Sequence, residues 1–175
     1  MYAFGMMSEQ ANQHPIYLDA DACPVKDVVY KVAARYSVPL KVVANGYLRI
    51  PDIAGLDAEM VTVPGSPDAA DDWIAERAVQ GDLVLTADIP LAAKVVDNGV
   101  RCLDFRGTEF TSSRVVDALA SRDLNAYLRS IGETTGGPKA FSPKDRSKFA
   151  STLDAAVGKM ARDTKHKTYG PRDNS

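Results

Sequence analysis

Five short runs of apolar, β-forming residues punctuate the first two thirds of this chain: IYLDA (16–20), VPLKVVAN (38–45), AEMVTV (58–63), GDLVLTAD (81–88) and VRCLDF (100–105). Each is too continuously apolar to leave one face wet. Runs of that kind, separated by helices, are the pattern of a parallel sheet covered on both sides. Val25, Val28, Val29, Val32 and Ala33 recur at helical spacing and predict a helix over 24–36. Pro24 falls in its first turn, where the missing N–H would be unpaired anyway. Residues 68–80 (DAADDWIAERAVQ) predict a second helix, with acids in the turn where the macrodipole favours them. PLAAKVVDNG predicts a third, stopped at Asn98-Gly99, while GYLRIPDIAGL (46–56) reads as a loop.

Beyond residue 110 the pattern turns helical. A helix is expected from a Ser112 cap to about Ile131, a break at TGGP (135–138), and a restart at SPKD (142–145). In that restart Ser142 caps, Pro143 is the first helical residue and Asp145 supplies the acid at the third position. The fold class that follows is α/β: a three-layer α/β/α sandwich around a mostly parallel five-stranded sheet, with added C-terminal helices. Residues 15–162 make one domain, residues 1–14 a flexible leader and residues 163–175 a flexible, mildly basic tail. A length of 175 residues suits a single domain, and 45% apolar residues supply its core.

A formal net charge of −2 gives the whole molecule no attraction for polyanions, so any nucleic-acid binding must be local. No apolar run approaches the roughly 20 residues that cross a bilayer, and the N-terminus lacks the basic and apolar regions of a signal peptide. The expected location is the cytoplasm. Cys23 and Cys102 are too few for a disulfide framework or a structural zinc site. Cys23 precedes a helix N-terminus, a position that lowers a thiol pKa, but no His or second Cys completes a nucleophile. His14 and His166 fall in the leader and the tail, which leaves no Ser-His-Asp arrangement.

The acids carry more. In an open parallel sheet, ligands bind beyond the carboxyl ends of the strands. Asp19 and Asp21 end the first strand, Asp88 the fourth and Asp104 the fifth, while Asn45 ends the second. Asp68, Asp71 and Asp72 open the helix before the fourth strand, at a spacing that puts them on one face. One Asp is usually a cap or turn residue. A set gathered at the ligand-binding edge calls for a cation, and oxygen-rich sites suit Mg²⁺ or Mn²⁺. Asp19, Asp21, Asp71 and Asp88 are the candidate ligands and catalytic acids, with Asp68 and Asp72 around them. Lys26, Arg49, Lys94 and Arg106 are candidates to steer phosphates, and Asn45 and Thr86 to position water or phosphate. Tyr47 and Trp73 could stack on a base, although Trp73 sits in an apolar helix pattern that favours packing.

YLDADACPVK, PDAADDWIAE, GDLVLTADIPLAAK, FRG and TGGP, in that order, resemble the YaiI/YqxD family of bacterial proteins, from about Ile16 to Leu153. That family is in turn similar to PIN-like nuclease domains, through an Asp after the first strand, an Asp in D-x-x-I-A and a T-x-D after a strand. The resemblance implies a PIN-like fold in which Asp19 or Asp21, Asp71 and Asp88 hold one or two divalent ions for phosphodiester hydrolysis. RNA or single-stranded nucleic acid would be the substrate; LDFRG departs from the usual PIN ending at Asp104.

Two other readings compete. A haloacid-dehalogenase-like phosphatase shares the D-x-D start, but Cys23 stands where Thr or Val is usual. A non-catalytic PIN-like module would bind nucleic acid or a nucleotide without cutting it. A homo-oligomer is also open, through the C-terminal helical third.

Overall fold

The fold was determined as a computed structural model, which describes residues 13–133 and 139–168. The expected break at TGGP (135–138) lies outside the described residues, as do the side chain of His166 and residues 1–12 and 169–175. The elements run β1 (Ile16–Asp19), α1 (Lys26–Tyr36), β2 (Leu40–Ala44), β3 (Ala58–Thr62), α2 (Ala69–Arg77), β4 (Leu83–Leu85), α3 (Ile89–Asp97), β5 (Arg101–Leu103), α4 (Ser112–Ser130) and α5 (Pro143–Thr168). The five strands form one sheet in the order β3-β2-β1-β4-β5, and every pairing is parallel. This is the α/β architecture that the alternation predicted.

Side-chain alternation along the strands divides the core in two. Ile16, Leu18, Leu40, Val42, Leu83, Leu85 and Leu103 face one side, and α1 and α5 cover them with Val29, Val32, Phe149 and Leu153. The crossover from β2 to β3 has no helix. Leu48, Ile50, Ile53 and Leu56 of the loop pack against that same core and do a helix's covering work. Tyr17, Val43, Val84 and Cys102 face the other side, under Ile74 of α2, Leu91 and Val95 of α3 and Val115 of α4. Asp154 of α5 binds Arg35 and accepts from the Tyr36 hydroxyl at 3.0 Å, which ties α5 to the end of α1.

Several boundaries differ from expectation. α1 starts at Lys26 with Val25 as its cap, so Pro24 precedes the helix. Thr111 rather than Ser112 caps α4, its hydroxyl accepting from the Arg114 N–H. The cap of α5 is as expected: Ser142 Oγ accepts from the Asp145 N–H, and Asp145 Oδ2 accepts from the Ser142 N–H at 3.0 Å. α5 then continues to Thr168 through residues assigned to the tail. His14, assigned to the leader, is fixed: its Nδ1 lies 2.8 Å from Asp82 Oδ1, and its ring occupies the space that a Cβ on Gly81 would need. On α4, Val116, Leu124 and Tyr127 remain exposed, as does Ile131 just after it.

Candidate functional site

Strand order places the site. Between β1 and β4 the chain reverses the direction in which it builds the sheet, and the crevice at the carboxyl ends of those two strands is where ligands enter open α/β sheets. Period-two alternation decides which acids reach it. Tyr17 faces α2 and α3, so Asp19, two residues on, faces them too. Leu18 pairs with Leu85, so Thr86 follows beside Asp19.

Thr86 is fully buried and connects two acids. Its hydroxyl donates to Asp19 Oδ2 at 2.7 Å and accepts the Asp88 N–H at 3.0 Å. Asp88 caps α3, its Oδ1 accepting the Leu91 N–H at 2.9 Å in front of Pro90. The second oxygen of Asp88 is left for other partners. Asp71, in the first turn of α2, brings its carboxyl against that of Asp88, near enough for the two to share a proton. Trp73 packs edge-on against Tyr17 at 5.9 Å between ring centres, with the Arg77 guanidinium 4.2 Å from the centre of its ring, so Trp73 is part of the support under the acids.

These contacts set the electrostatics. Burial, then the charges of Asp88 and Asp19, then the hydrogen bond to Asp88 and the charge of Asp68, push the Asp71 carboxyl up to about 7. Burial also raises Asp19, and the charges of Asp88 and Asp21 add to it against the lowering effect of the Thr86 hydrogen bond. Acidic side chains thus crowd one crevice.

The folded protein therefore holds a proton on Asp71 between about pH 4 and pH 7 that the unfolded chain has released. Stability from this group is full below pH 4 and is lost as pH rises through 7. In chelator, Asp71→Asn is expected to abolish that loss and to gain on the order of 1 kcal/mol over wild type at pH 8, after allowance for solvent screening. Urea unfolding of both proteins across pH 4–8 checks it. Parallel stability curves would show that Asp71 does not titrate in this way.

The other candidates separate. Asp21 is exposed at the end of the β1 turn and accepts the Asn45 N–H at 3.0 Å, which joins the ends of β1 and β2; it is the backbone of Asn45, not the side chain, that this bond uses. Asp68 precedes α2 without a side-chain capping bond. Asp72 turns outward, 3.9 Å from Lys94, so those two charges face each other at the surface. Asp104 holds its own turn, with Oδ1 accepting the N–H groups of Arg106 and Thr108 at 2.9 and 2.8 Å. Arg106 reaches across to α5, donating to Asp145 at 2.8 Å and to the Lys139 carbonyl. Lys26 donates to the Cys23 carbonyl at 2.8 Å. Arg49 is exposed without an ion pair among the described residues, and Tyr47 beside it is 77% exposed. Cys23 is a correction. It is buried, and burial pushes its thiol up to about 11, overriding any effect of the nearby helix.

Among the described residues, no group of three or more His, Cys, Asp or Glu side chains is arranged to hold a metal ion. The facing pair of Asp71 and Asp88 nevertheless has the chemistry of a cation site. A carboxyl kept protonated by burial and by its neighbours' charges can exchange that proton for a cation, and Mg²⁺ asks for only one or two carboxylates with water completing its shell.

Sequence relatives cover most of the chain. No solved structure matches the chain. A UPF0178 protein of Caulobacter sp. (strain K31) is 54% identical over 147 residues, 84% of this chain and 96% of the relative. A UPF0178 protein of Rhodopseudomonas palustris (strain TIE-1) is 52% identical over 147 residues, 84% of this chain and 92% of the relative. Residues 17–159, from β1 to within α5, match the family model described as "Uncharacterized BCR, YaiI/YqxD family", and the chain belongs to that family.

Proposed function

We propose that this protein is a metal-dependent, PIN-like nuclease that hydrolyses phosphodiester bonds in RNA or single-stranded nucleic acid. The observation that supports it is the bonded run Asp19–Thr86–Asp88, faced by Asp71, at the switch point of the sheet. An acid needed only as a cap has no reason to face a second carboxyl. Asp71 and Asp88 are the residues that would hold Mg²⁺ or Mn²⁺, and Asp19 and Asp21 would orient its waters. When bound, such an ion supplies a polarised phosphoryl oxygen and a water of lowered pKa. Thr86 fixes the Asp19 carboxylate, so that the crevice is ordered before substrate arrives. Lys26, the first residue of α1, and Arg49, on the loop after β2, are placed to meet a polyanion, while Lys94 and Arg106 are paired with acids. The cytoplasm is the compartment that this reading implies.

One observation favours a second reading. Without three converging ligand side chains among the described residues, the same crevice suits a module that binds nucleic acid or a nucleotide and does not cut it. The two part on a single assay of the full chain with short RNA and single-stranded DNA in Mg²⁺, Mn²⁺ or chelator. Cleavage in one of the metals and none in chelator is the expected result. Unbroken substrate in every metal, with binding retained, replaces the nuclease by the module.

A further inference from the structure

Beside the acids lies a second feature that the catalytic reading leaves unused. A cavity of about 300 Å³ opens at the carboxyl edge of the sheet between the turn after β1, the start of α3, the turn after β5 and the segment before α5. Its volume is at the low end for small-molecule sites. Ala22 follows Asp21 in the chain, and Ala87 and Ile89 flank Asp88, so the cavity shares its wall with the acid crevice. The rest of the lining is apolar: exposed Pro24, half-buried Ile89 and Phe141, and the buried Phe105 and Phe110. Arg106 lies 5.9 Å from the centre of the Phe141 ring and is held there by Asp145. Aromatic and prolyl faces with a guanidinium beside them are the surfaces on which nucleobases stack.

One polar group gives this cavity a direction. Asp104 lines it, and its Oδ1 alone takes both N–H groups of the turn. Among the described residues Oδ2 has no hydrogen-bond partner. A carboxylate beside an apolar slot selects a base edge made of donors and leaves an edge of acceptors unpaired. Guanine presents two adjacent donors, its N1–H and its amino group. Uracil offers a single N–H between two carbonyls.

We propose that this cavity is a nucleobase subsite, preferring guanine, that seats one base of a strand whose phosphates cross the neighbouring acids. The direction of the strand rests on the nuclease reading; the ligand of the cavity does not. The test uses the full chain without metal and follows amide shifts during titration with guanosine, adenosine, cytidine and uridine, which carry no phosphate for the acids to repel. Guanosine is expected to shift the amides of Ala22, Phe105 and Arg106 and to bind about tenfold tighter than uridine, the scale of one hydrogen bond to a charged group. Ala22 is exposed, so Ala22→Trp blocks the mouth without disturbing the core, and it should remove binding of all four. Asp104→Asn keeps an oxygen for the turn and turns the other position into a donor, which should erase the preference for guanosine. No binding by any nucleoside, equal binding of all four, or binding that survives Ala22→Trp overturns the subsite. Metal-dependent cleavage that ignores base identity and Ala22→Trp removes the subsite and keeps the nuclease. Guanosine binding lost in Ala22→Trp, in a protein that cuts nothing, keeps the subsite and removes the nuclease.

Discussion

Asp88→Asn is expected to lower metal-dependent cleavage by roughly a hundredfold or more while leaving the protein at least as stable as wild type. The two halves of that result have different causes. Asp88 Oδ1 accepts the Leu91 N–H, and an Asn oxygen does the same, Asn being as good an N-cap as Asp. The Asp88 N–H still reaches Thr86, because the backbone is unchanged. The charge that raises the Asp71 carboxyl disappears, and with it a repulsion in the folded state. Melting in chelator should therefore be unchanged or higher, and addition of Mn²⁺ should stabilise the variant less than it stabilises wild type. A substitution that removes activity without loss of stability marks an acid kept for chemistry at the expense of the fold. Full cleavage by the variant, or a clearly lower melting temperature, would make Asp88 a cap and no more.

How far the sequence reaches can be judged residue by residue. Strand–helix alternation was legible because period-two and period-3.6 patterns are local, and it led to the correct sheet class. The three acids Asp19, Asp71 and Asp88 were legible as a set because strand ends and helix starts can be counted along the chain. The orientation of individual acids was not. Asp71 and Asp72 are neighbours, yet a helix turns about 100° per residue, so one faces Asp88 while the other faces Lys94. Thr86 is legible in the sequence as a residue that could position water or phosphate, and only the parallel register beside β1 makes its hydroxyl a link between acids. Cys23 misled because proximity to a helix is visible in a sequence and burial by distant segments is not. The cavity is invisible for a similar reason. Its apolar residues come from four segments, and each alone reads as core.

Gly107→Ala is expected to destabilise the protein by about 2–5 kcal/mol, the sum of a left-handed backbone and an overpacked contact. Gly107 has φ +83°, and a Cβ there would lie 2.8 Å from both the Lys148 carbonyl carbon and the Phe149 nitrogen. Both are backbone atoms of α5, which cannot step aside as the end of a flexible side chain would. The Gly107 carbonyl also accepts from the Thr152 hydroxyl at 3.2 Å, so the turn after β5 is seated directly on the helix. That close approach accounts for the glycine of FRG in structural terms. Gly132 separates the two contributions, since it has φ +80° and nothing within 4 Å of its Cβ position. Gly132→Ala should lose only the backbone part, about 1–2 kcal/mol, and urea unfolding of the two variants beside wild type reads the difference. Equal losses would mean that α5 does not press on the turn. The seating matters to the site because the same turn carries Asp104 and Arg106, and a turn lifted from α5 takes with it one wall of the cavity. Gly107→Ala at a temperature where it stays folded should therefore weaken guanosine binding, whereas Gly132→Ala should leave it unchanged.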